Sequence, residues 1–158
     1  MTDTITTANL NYNYYDEYYN KTLHEWVDLV HEKNSIINKW KVITLKKGCF
    51  GFDNLAVSLC HVFNYIDRYV TYTIDDIACA IHDGWCENYL FWRDNKPFEE
   101  SYCSQHSQTW IKPFTPLGDE RRNICASTKY EDLPQDEKDK DIIIAQIIID
   151  EIKKINNE

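Results

Sequence analysis

The C-terminal part of the chain carries a run of isoleucines that limits how the protein can fold. Placed on a helix, these side chains cover most of its circumference. They are Ile142, Ile143, Ile144, Ile147, Ile148, Ile149, Ile152 and Ile155. Such a helix has to be buried on more than one side, by its own fold or by a partner subunit. We expect it to begin near Pro134, because proline is favoured in the first helical position.

Upstream of this helix, capping signals predict two more. Thr22 and Glu25 have the spacing of a capping box, in which each side chain satisfies a backbone N–H of the other residue. Apolar residues then recur at roughly helical spacing as far as Trp40. Asp53 is a suitable N-cap for a second helix that runs to about Arg68.

A third upstream helix opens with another capping box, formed by Thr73 and Asp76. Between the first and second helices, the alternation of residues 41–47 predicts a short strand. Residues 94–129 are expected to be mostly irregular, because their prolines are too closely spaced for long elements. Within them, residues 119–125 are expected to form one or two helical turns.

These patterns predict a mainly α fold of about four principal helices, with short β links and a long irregular insertion. The chain has 158 residues, of which 43% are hydrophobic and 14% aromatic, which is enough for one packed core. Residues 1–20 are polar and rich in tyrosine and asparagine, and we expect a flexible arm there. Residues 21–158 are expected to form a single helical domain. The arm is either a disordered tail or a segment that docks on a neighbouring subunit.

Charge and cysteine content restrict the partners and the compartment. The net charge of −9 disfavours nucleic-acid polymers and anionic membranes, because phosphate is bound largely by lysine and arginine. The isoleucine run is too short to span a bilayer. The start of the chain lacks the pattern of a secretory signal, so we expect six reduced cysteines and a cytoplasmic location. The richness in Asn, Ile, Lys and Tyr is typical of an AT-rich genome and suits a virus, a phage or a low-GC bacterium. If the source is viral, host cytoplasm or virion is expected.

Two separated motifs resemble a known family. The first is Ala80-Ile81-His82-Asp83-Gly84-Trp85, and the second consists of Tyr130, Leu133, Pro134, Lys138 and Asp141. Together they are similar to the RyR domain, the module that is repeated in ryanodine receptors and also occurs alone in bacterial and phage proteins. The resemblance covers roughly residues 74–155, and the segment 112–122 adds a weaker echo. The usual Gly-Trp-x-Tyr-Gly step is absent. The resemblance implies an RyR-like helical domain and a binding module that recognises a nucleotide-derived small molecule.

The motif residues also have a purely structural interpretation. His82 and Trp85 lie one turn apart on one helix face, so His82 can bond a loop carbonyl while Trp85 fills the core. Leu133 can pack onto the first turn of the helix after Pro134, and Tyr130 can close the corner. On this interpretation most of the motif is scaffold, and specificity lies in the irregular stretch between the two parts.

That stretch, residues 89–122, is rich in aromatic residues and arginine. Aromatic rings stack on planar ligands, and arginine pairs with phosphate or carboxylate. We therefore predict a ligand site there. Its residues are Tyr89, Trp92, Arg93, Trp110, Arg121 and Arg122. The alternative is that the aromatic residues only pack the loop onto the helices.

Other constellations in the sequence are weaker. Cysteine and histidine residues in two segments have the spacing of zinc ligands, but the same spacing also places them on a helix face that a core would bury. These residues are Cys79, His82, Cys86, Cys103 and His106. A thiol nucleophile beside His61 or His106 has no recognisable surrounding signature. We expect no metal, no cofactor and no enzymatic activity.

Two functions remain open at this point. The first is the RyR-type binding module for a nucleotide-like small molecule. The second is a structural or assembly protein, for example of a virus, that packs against copies of itself or other subunits. It would use the N-terminal arm and the isoleucine-rich C-terminal helix.

Overall fold

The protein folds mainly into helices, as the sequence predicts. A computed structural model describes residues 12–13, 15–45, 50–69, 71–95 and 120–157. The elements within these ranges are, in chain order, β1 (Glu17–Tyr18), β2 (Lys21–Thr22), α1 (Leu23–Ile37), α2 (Phe50–Arg68), α3 (Ile74–Asn95), α4 (Glu120–Ala126), a 3-10 turn (Tyr130–Asp132) and α5 (Gln135–Asn156). The four long helices α1, α2, α3 and α5 are the four that the sequence predicts.

Helix α5 is the isoleucine-rich helix, and the prediction that it is buried on more than one side is confirmed. It packs against both α3 and α1. Its fully or nearly buried apolar residues are Ala145, Ile147, Ile148, Ile149 and Ile152. Pro134 occupies the N-cap position, as expected from its fixed φ. Across the described ranges, no helix is long and apolar enough to cross a membrane.

Helices α2 and α3 form the closest helix pair of the fold. Gly84 on α3 faces the backbone of α2, where a Cβ atom would lie 2.5 Å from Ser58 Cα and 3.0 Å from the Val57 carbonyl oxygen. Ser58 Oγ donates a hydrogen bond to the Ile81 carbonyl at 3.0 Å, so the contact also satisfies a buried hydroxyl. The glycine is required here because only a residue without a side chain permits this approach.

Both predicted capping boxes are present. Thr22 Oγ1 accepts from the Glu25 N–H at 3.1 Å, and Glu25 Oε1 accepts from the Thr22 N–H at 2.8 Å. Thr73 and Asp76 repeat the arrangement at the start of α3, with the same two distances. The predicted N-cap role of Asp53 is wrong, because α2 already begins at Phe50.

The segment after α1 also differs from the sequence prediction. Residues 41–45 form no strand, and residues 46–47 lie outside the described ranges. Helix α1 ends at Ile37, and the Trp40 side chain beyond it is 53% exposed. Lys39 has a positive φ of 61°, which turns the chain away from the helix axis before the apolar stripe reaches Trp40.

The small β element lies where the flexible arm was expected. β1 and β2 pair in an antiparallel hairpin, and the Tyr18 ring stacks on Phe63 of α2 at 4.4 Å between ring centroids. Trp26 Nε1 donates to the Tyr18 carbonyl at 2.8 Å. The end of the predicted arm therefore belongs to the helical domain. Residues 1–11 and 14 lie outside the described ranges.

The predicted irregular stretch is shorter than expected at both ends. Helix α3 continues to Asn95, and α4 confirms the helical turns predicted at 119–125. Residues 96–119 lie outside the described ranges. Tyr89 lies on α3, as the sequence predicts for the third helix, and Trp92 and Arg93, which the sequence assigned to the irregular stretch, lie on the same helix. Their spacing continues the apolar face of that helix, a signal that the sequence reading missed.

We expect Gly84→Ala to destabilise the fold by about 3 kcal/mol, because the new Cβ meets backbone atoms of α2 that cannot move separately. Gly51→Ala is the matched control. Its Cβ would lie at 3.4 Å from the flexible Leu45 side chain, so the change should stay within about 1 kcal/mol. Urea unfolding of both variants measures this. Equal stability of the two variants would contradict the close helix contact.

Candidate ligand-binding cavity

A cavity of about 430 Å³ lies where all five helices approach one another. One part of its wall comes from α1, the segment after it and the start of α2. The other part comes from α3, α4 and α5. Apolar side chains form much of the lining, namely Trp40, Leu45, Phe50, Leu55, Trp85, Leu133, Ile143 and Ile144. This volume falls in the range of small-molecule sites, which are mostly apolar with a few placed polar groups.

Charged residues of α4 and α5 line one side of the cavity. Arg121 donates to Glu137 Oε2 at 2.7 Å, and Lys140 donates to Glu137 Oε1 at 3.1 Å. Burial opposes ionisation of the Glu137 carboxyl, but these two hydrogen bonds outweigh it and lower its pKa. One carboxylate thus holds two cations at the edge of the cavity, and the three groups together carry one positive charge.

His82 connects this side of the cavity to the loop after α4. Its Nε2 lies 2.8 Å from the Thr128 carbonyl oxygen, which can only accept, so Nε2 carries the proton and donates. This confirms the prediction that His82 bonds a loop carbonyl. The second ring nitrogen, Nδ1, faces Asp141 Oδ2 of α5 at 3.9 Å. The His82 ring is buried, with 5% of its side chain exposed.

Asp141 is the most perturbed carboxyl group of the cavity. Burial in this apolar part of the fold, reinforced by the negative charge of Glu137 and opposed by Lys140, raises its pKa to about 7. Asp141 is therefore divided between its neutral and ionised forms near neutral pH. A carboxyl group in this state both donates and accepts protons under ordinary conditions.

Planar groups stack along α3 beside the cavity. The His82 and Trp85 rings are 11° from parallel with centroids 6.0 Å apart, and the Trp85 and Tyr89 rings are 2° from parallel at 5.3 Å. The Arg93 guanidinium lies over Tyr89, 6.0 Å from the ring centre. Trp85 is half-buried and lines the cavity. It is thus the member of the stack that a ligand can reach.

Amide side chains line the part of the cavity that comes from α1 and α2. They belong to Asn34, Asn38 and Asn54. Asn38 Nδ2 donates to the Asn34 carbonyl and to Asn34 Oδ1, at 2.8 and 3.0 Å. The Asn54 side-chain oxygen is buried and accepts no hydrogen bond from the described residues. A buried acceptor without a donor is costly in a fold, so this oxygen is available to a ligand N–H.

The six residues of the predicted ligand site separate in the structure. Tyr89 and Trp92 are completely buried or nearly so, and Trp92 Nε1 donates to Asp53 of α2 at 3.2 Å. Arg93 donates to Asn123 Oδ1 at 2.7 Å and links α3 to α4. Of the five that the structure describes, Arg121 alone lines the cavity, and Arg122 beside it does not. Trp110 lies outside the described residues.

The sequence reading missed most of the residues that line the cavity. The sequence analysis assigned no role to Lys140 or to the asparagines of α1 and α2, and it named Asp141 only as part of the second motif. Asp141 carried a signal, because an acidic residue directly precedes the isoleucine run on a helix that has to be buried. His82 and Trp85 were recognised, but as scaffold. The structure gives them both roles, since they hold the α3–α4 junction and also line the cavity.

The two motifs of the RyR resemblance meet at one junction. Tyr130 Oη donates to Asp75 at the start of α3 at 2.9 Å, and the Lys138 ammonium lies 5.6 Å from the centre of the Tyr130 ring. Leu133 is buried between them and α5. Tyr130 therefore closes the corner between α3 and α5, as predicted. Asp141 and His82, one from each motif, face each other at the same junction.

Cys86 approaches His82 but lacks the properties of a nucleophile. Its Sγ lies 3.3 Å from His82 Nε2, and with Asp141 this is the order of groups in a thiol triad. Burial, aided by the charges of Asp83 and Asp141, raises the Cys86 pKa to about 12, so the thiol stays protonated. The His82 Nε2–H is also directed at the Thr128 carbonyl.

The zinc hypothesis gains no support from the described part of the chain. Among those residues, no group of three or more His, Cys, Asp or Glu side chains is placed to hold a metal ion. Cys79 lies in a separate surface cleft that His61 and Asp83 also line. Cys103 and His106 lie outside the described residues.

The Asp141 carboxyl predicts an unusual pH dependence of stability. Its pKa in the fold is above that of an unfolded chain, so the folded state binds this proton more tightly. The resulting stabilisation is present in acid and is lost as the pH rises through about 7. We expect the contribution to fall by about 3 kcal/mol between about pH 5 and about pH 8.

Urea unfolding of Asp141→Asn tests this, since the amide removes the titration. At alkaline pH, the variant should be more stable than the unmodified protein. Its free energy of unfolding should also fall much less steeply as the pH rises. Asp139→Asn, an exposed position on the same helix, is the control and should keep the steeper fall of the unmodified protein. An Asp141→Asn protein with unchanged pH dependence would show that Asp141 titrates normally.

Comparison with known proteins adds no relative. No family model, curated protein or solved structure matches this chain. The resemblance of residues 74–155 to the RyR domain therefore stays a prediction, and any function has to be argued from the cavity itself.

Proposed function

We propose that this protein is a non-enzymatic binding module, of RyR type, that takes up a nucleotide-derived small molecule in the cavity between its helices. The observation that carries the proposal is the joint presence of an accessible indole and two cations in one cavity. Trp85 offers a flat apolar face, and Arg121 and Lys140 offer charge-assisted donors. A ligand with a planar ring and an anionic group uses both.

The charges of the cavity favour an anion. Arg121 and Lys140 share the single carboxylate of Glu137. Arg121 keeps 55% of its side chain exposed and Lys140 keeps 62%, so both can reorient toward a ligand. A phosphate or carboxylate that joins this group replaces water around two cations that the Glu137 carboxylate already brings together.

The amide part of the cavity favours a ring that carries hydrogen-bonding groups. Asn34, Asn38 and Asn54 present both donors and acceptors, and the Asn54 oxygen lacks a donor among the described residues. The edge of a heterocyclic base has the complementary groups. The ring would pack against the part of the Trp85 indole that His82 and Tyr89, which lie parallel to it on either side, leave uncovered.

A binding role agrees better with the chemistry of the cavity than catalysis does. The thiol that lines the cavity, that of Cys125, stays protonated near pH 7 because burial raises its pKa, as burial also does for Cys86. The His82 Nε2–H already donates a structural hydrogen bond to the Thr128 carbonyl. A general base needs a geometry in which the proton-accepting atom faces the substrate, and neither group offers it.

A role in assembly is the second candidate. The structure weakens one argument for it, namely that the isoleucine-rich helix needs a partner subunit. The isoleucines of α5 pack within the protein's own core, so this helix needs no partner to bury them. What favours assembly is an exposed apolar group after α1, made of Ile36, Ile37, Trp40 and Val42. Light scattering on the purified protein tests this role, and a monomer at high concentration would exclude self-assembly.

Thermal-shift screening and calorimetry against cyclic and ADP-ribose-type nucleotides test the binding role. We expect at least one of them to stabilise the protein, because a ligand that binds only the folded state raises its melting temperature. Arg121→Gln should weaken that ligand about 10- to 100-fold through loss of a charged donor. Arg122→Gln is the matched control on the same helix and should bind normally.

Two results would contradict the proposal. One is the absence of stabilisation by every nucleotide in the screen. The other is equal loss of affinity in Arg121→Gln and Arg122→Gln, which would place the bound ligand elsewhere on α4.

A further inference from the structure

We propose that an anionic ligand enters this cavity together with one proton, which Asp141 takes up. The inference rests on the proposed binding function and adds its regulation. The affinity for the ligand would increase as the pH falls through neutrality. This increase does not require the ring or the anionic group of the ligand to change its own protonation state. The binding module would therefore respond to pH as well as to ligand concentration.

The position of Asp141 supports this coupling. Its carboxylate lines the cavity, yet it receives no hydrogen bond from any residue in the described ranges, and only 15% of the side chain is exposed. His82 Nδ1 lies 3.9 Å from Asp141 Oδ2, which is beyond hydrogen-bonding distance. A buried carboxylate without donors is poorly stabilised, so the neutral carboxylic acid is favoured. The raised pKa of Asp141 agrees with this geometry.

Charged and titratable groups face Asp141 from every element that packs around it. They are Glu137 and Lys140 of α5, Arg121 and Cys125 of α4, Cys79, His82 and Cys86 of α3, Tyr130 of the 3-10 turn and His31 of α1. Burial raises the pKa of all three thiols and of Tyr130, so these four groups are neutral near pH 7. The fixed charges are those of Arg121, Lys140 and Glu137.

The proton on Asp141 decides the net charge that a ligand meets. With Asp141 neutral, Arg121, Lys140 and Glu137 leave one positive charge on the cavity wall. With Asp141 ionised, this charge is cancelled, and the incoming anion approaches a second carboxylate at short range. The interaction is strong because the cavity is partly desolvated. Ligand binding and protonation therefore favour each other, and by linkage the coupling is reciprocal.

His82 is the other group at this junction that could take the proton. Its Nε2–H is already donated to Thr128, so a second proton would have to occupy Nδ1, the atom that faces Asp141. A charged His82 would then pair with an ionised Asp141. The two placements differ in one testable respect, because an asparagine at position 141 abolishes the coupling only if Asp141 holds the proton.

Calorimetry with cyclic AMP as the probe tests the proposal. The phosphodiester of cyclic AMP keeps one negative charge throughout the neutral range, so a pH effect on its affinity originates in the protein. If only the form with neutral Asp141 binds, affinity should be about tenfold higher at about pH 6 than at about pH 8. Titrations in two buffers of different ionisation enthalpy should show uptake of up to one proton near pH 8.

Two variants complete the experiment. Asp141→Asn should bind cyclic AMP with the high affinity at both pH values and without proton uptake. Asp139→Asn, which changes the same charge at an exposed position of α5, should keep the pH dependence of the unmodified protein. If Asp141→Asn does not fold, proton counting in the unmodified protein still tests the coupling, because binding without proton uptake would overturn it.

The outcomes separate the two proposals. Binding of cyclic AMP with equal affinity at both pH values, or pH dependence that survives in Asp141→Asn, overturns the coupling and leaves the binding function standing. Failure of cyclic AMP to bind at either pH overturns the coupling. Failure of every nucleotide in the screen overturns the binding function as well.

Discussion

The contact between Gly84 and the backbone of α2 determines where every other part of the structure lies. It brings α3 so close to α2 that the opposite side of α3 carries His82 and Trp85 toward α4 and α5. Because the two helices meet through backbone atoms, α3 has little freedom to rotate or slide. The hydrogen bond from Ser58 to the Ile81 carbonyl fixes the same register. The remaining helices are packed around a pair that is already rigid.

Polar groups hold the elements that border the cavity, in addition to the apolar contacts between α5 and α3. His82 holds the loop after α4 through Thr128, and Tyr130 holds the turn before α5 through Asp75. Polar links of this kind keep elements at a fixed distance without filling the space between them. The space left between α4, α5 and the start of α2 is the cavity, and His82, which holds the loop after α4, also lines it.

Sequence reasoning predicted the parts of this structure that depend on local rules. The two capping boxes, the start of α5 at Pro134 and the burial of its isoleucines follow from periodicity and from first-turn hydrogen bonds. The site was predicted less well, because a cavity depends on which distant faces meet. Trp92 has an aromatic side chain of the kind that often stacks on ligands, but the approach of α2 buries it against Asp53. Asp141 became unusual only when α3 covered it.

Several polar side chains in this fold are buried without hydrogen-bond partners among the described residues, which lowers the stability of the folded state. The Asn88 side chain is completely buried on α3, and within the described ranges neither its amide nitrogen nor its oxygen has a hydrogen-bond partner. The Asn54 oxygen also lacks a donor among the described residues, and the Asp141 carboxyl, with 15% of its side chain exposed, receives no hydrogen bond from them. Unsatisfied buried groups each cost about 1–3 kcal/mol, and apolar residues at these positions would avoid that cost. Asn54 and Asp141 both line the cavity, where the proposed ligand would offer a hydrogen bond to Asn54 and the proposed proton would neutralise Asp141. Under these two proposals, binding would offset part of the cost that the two polar groups impose on the fold.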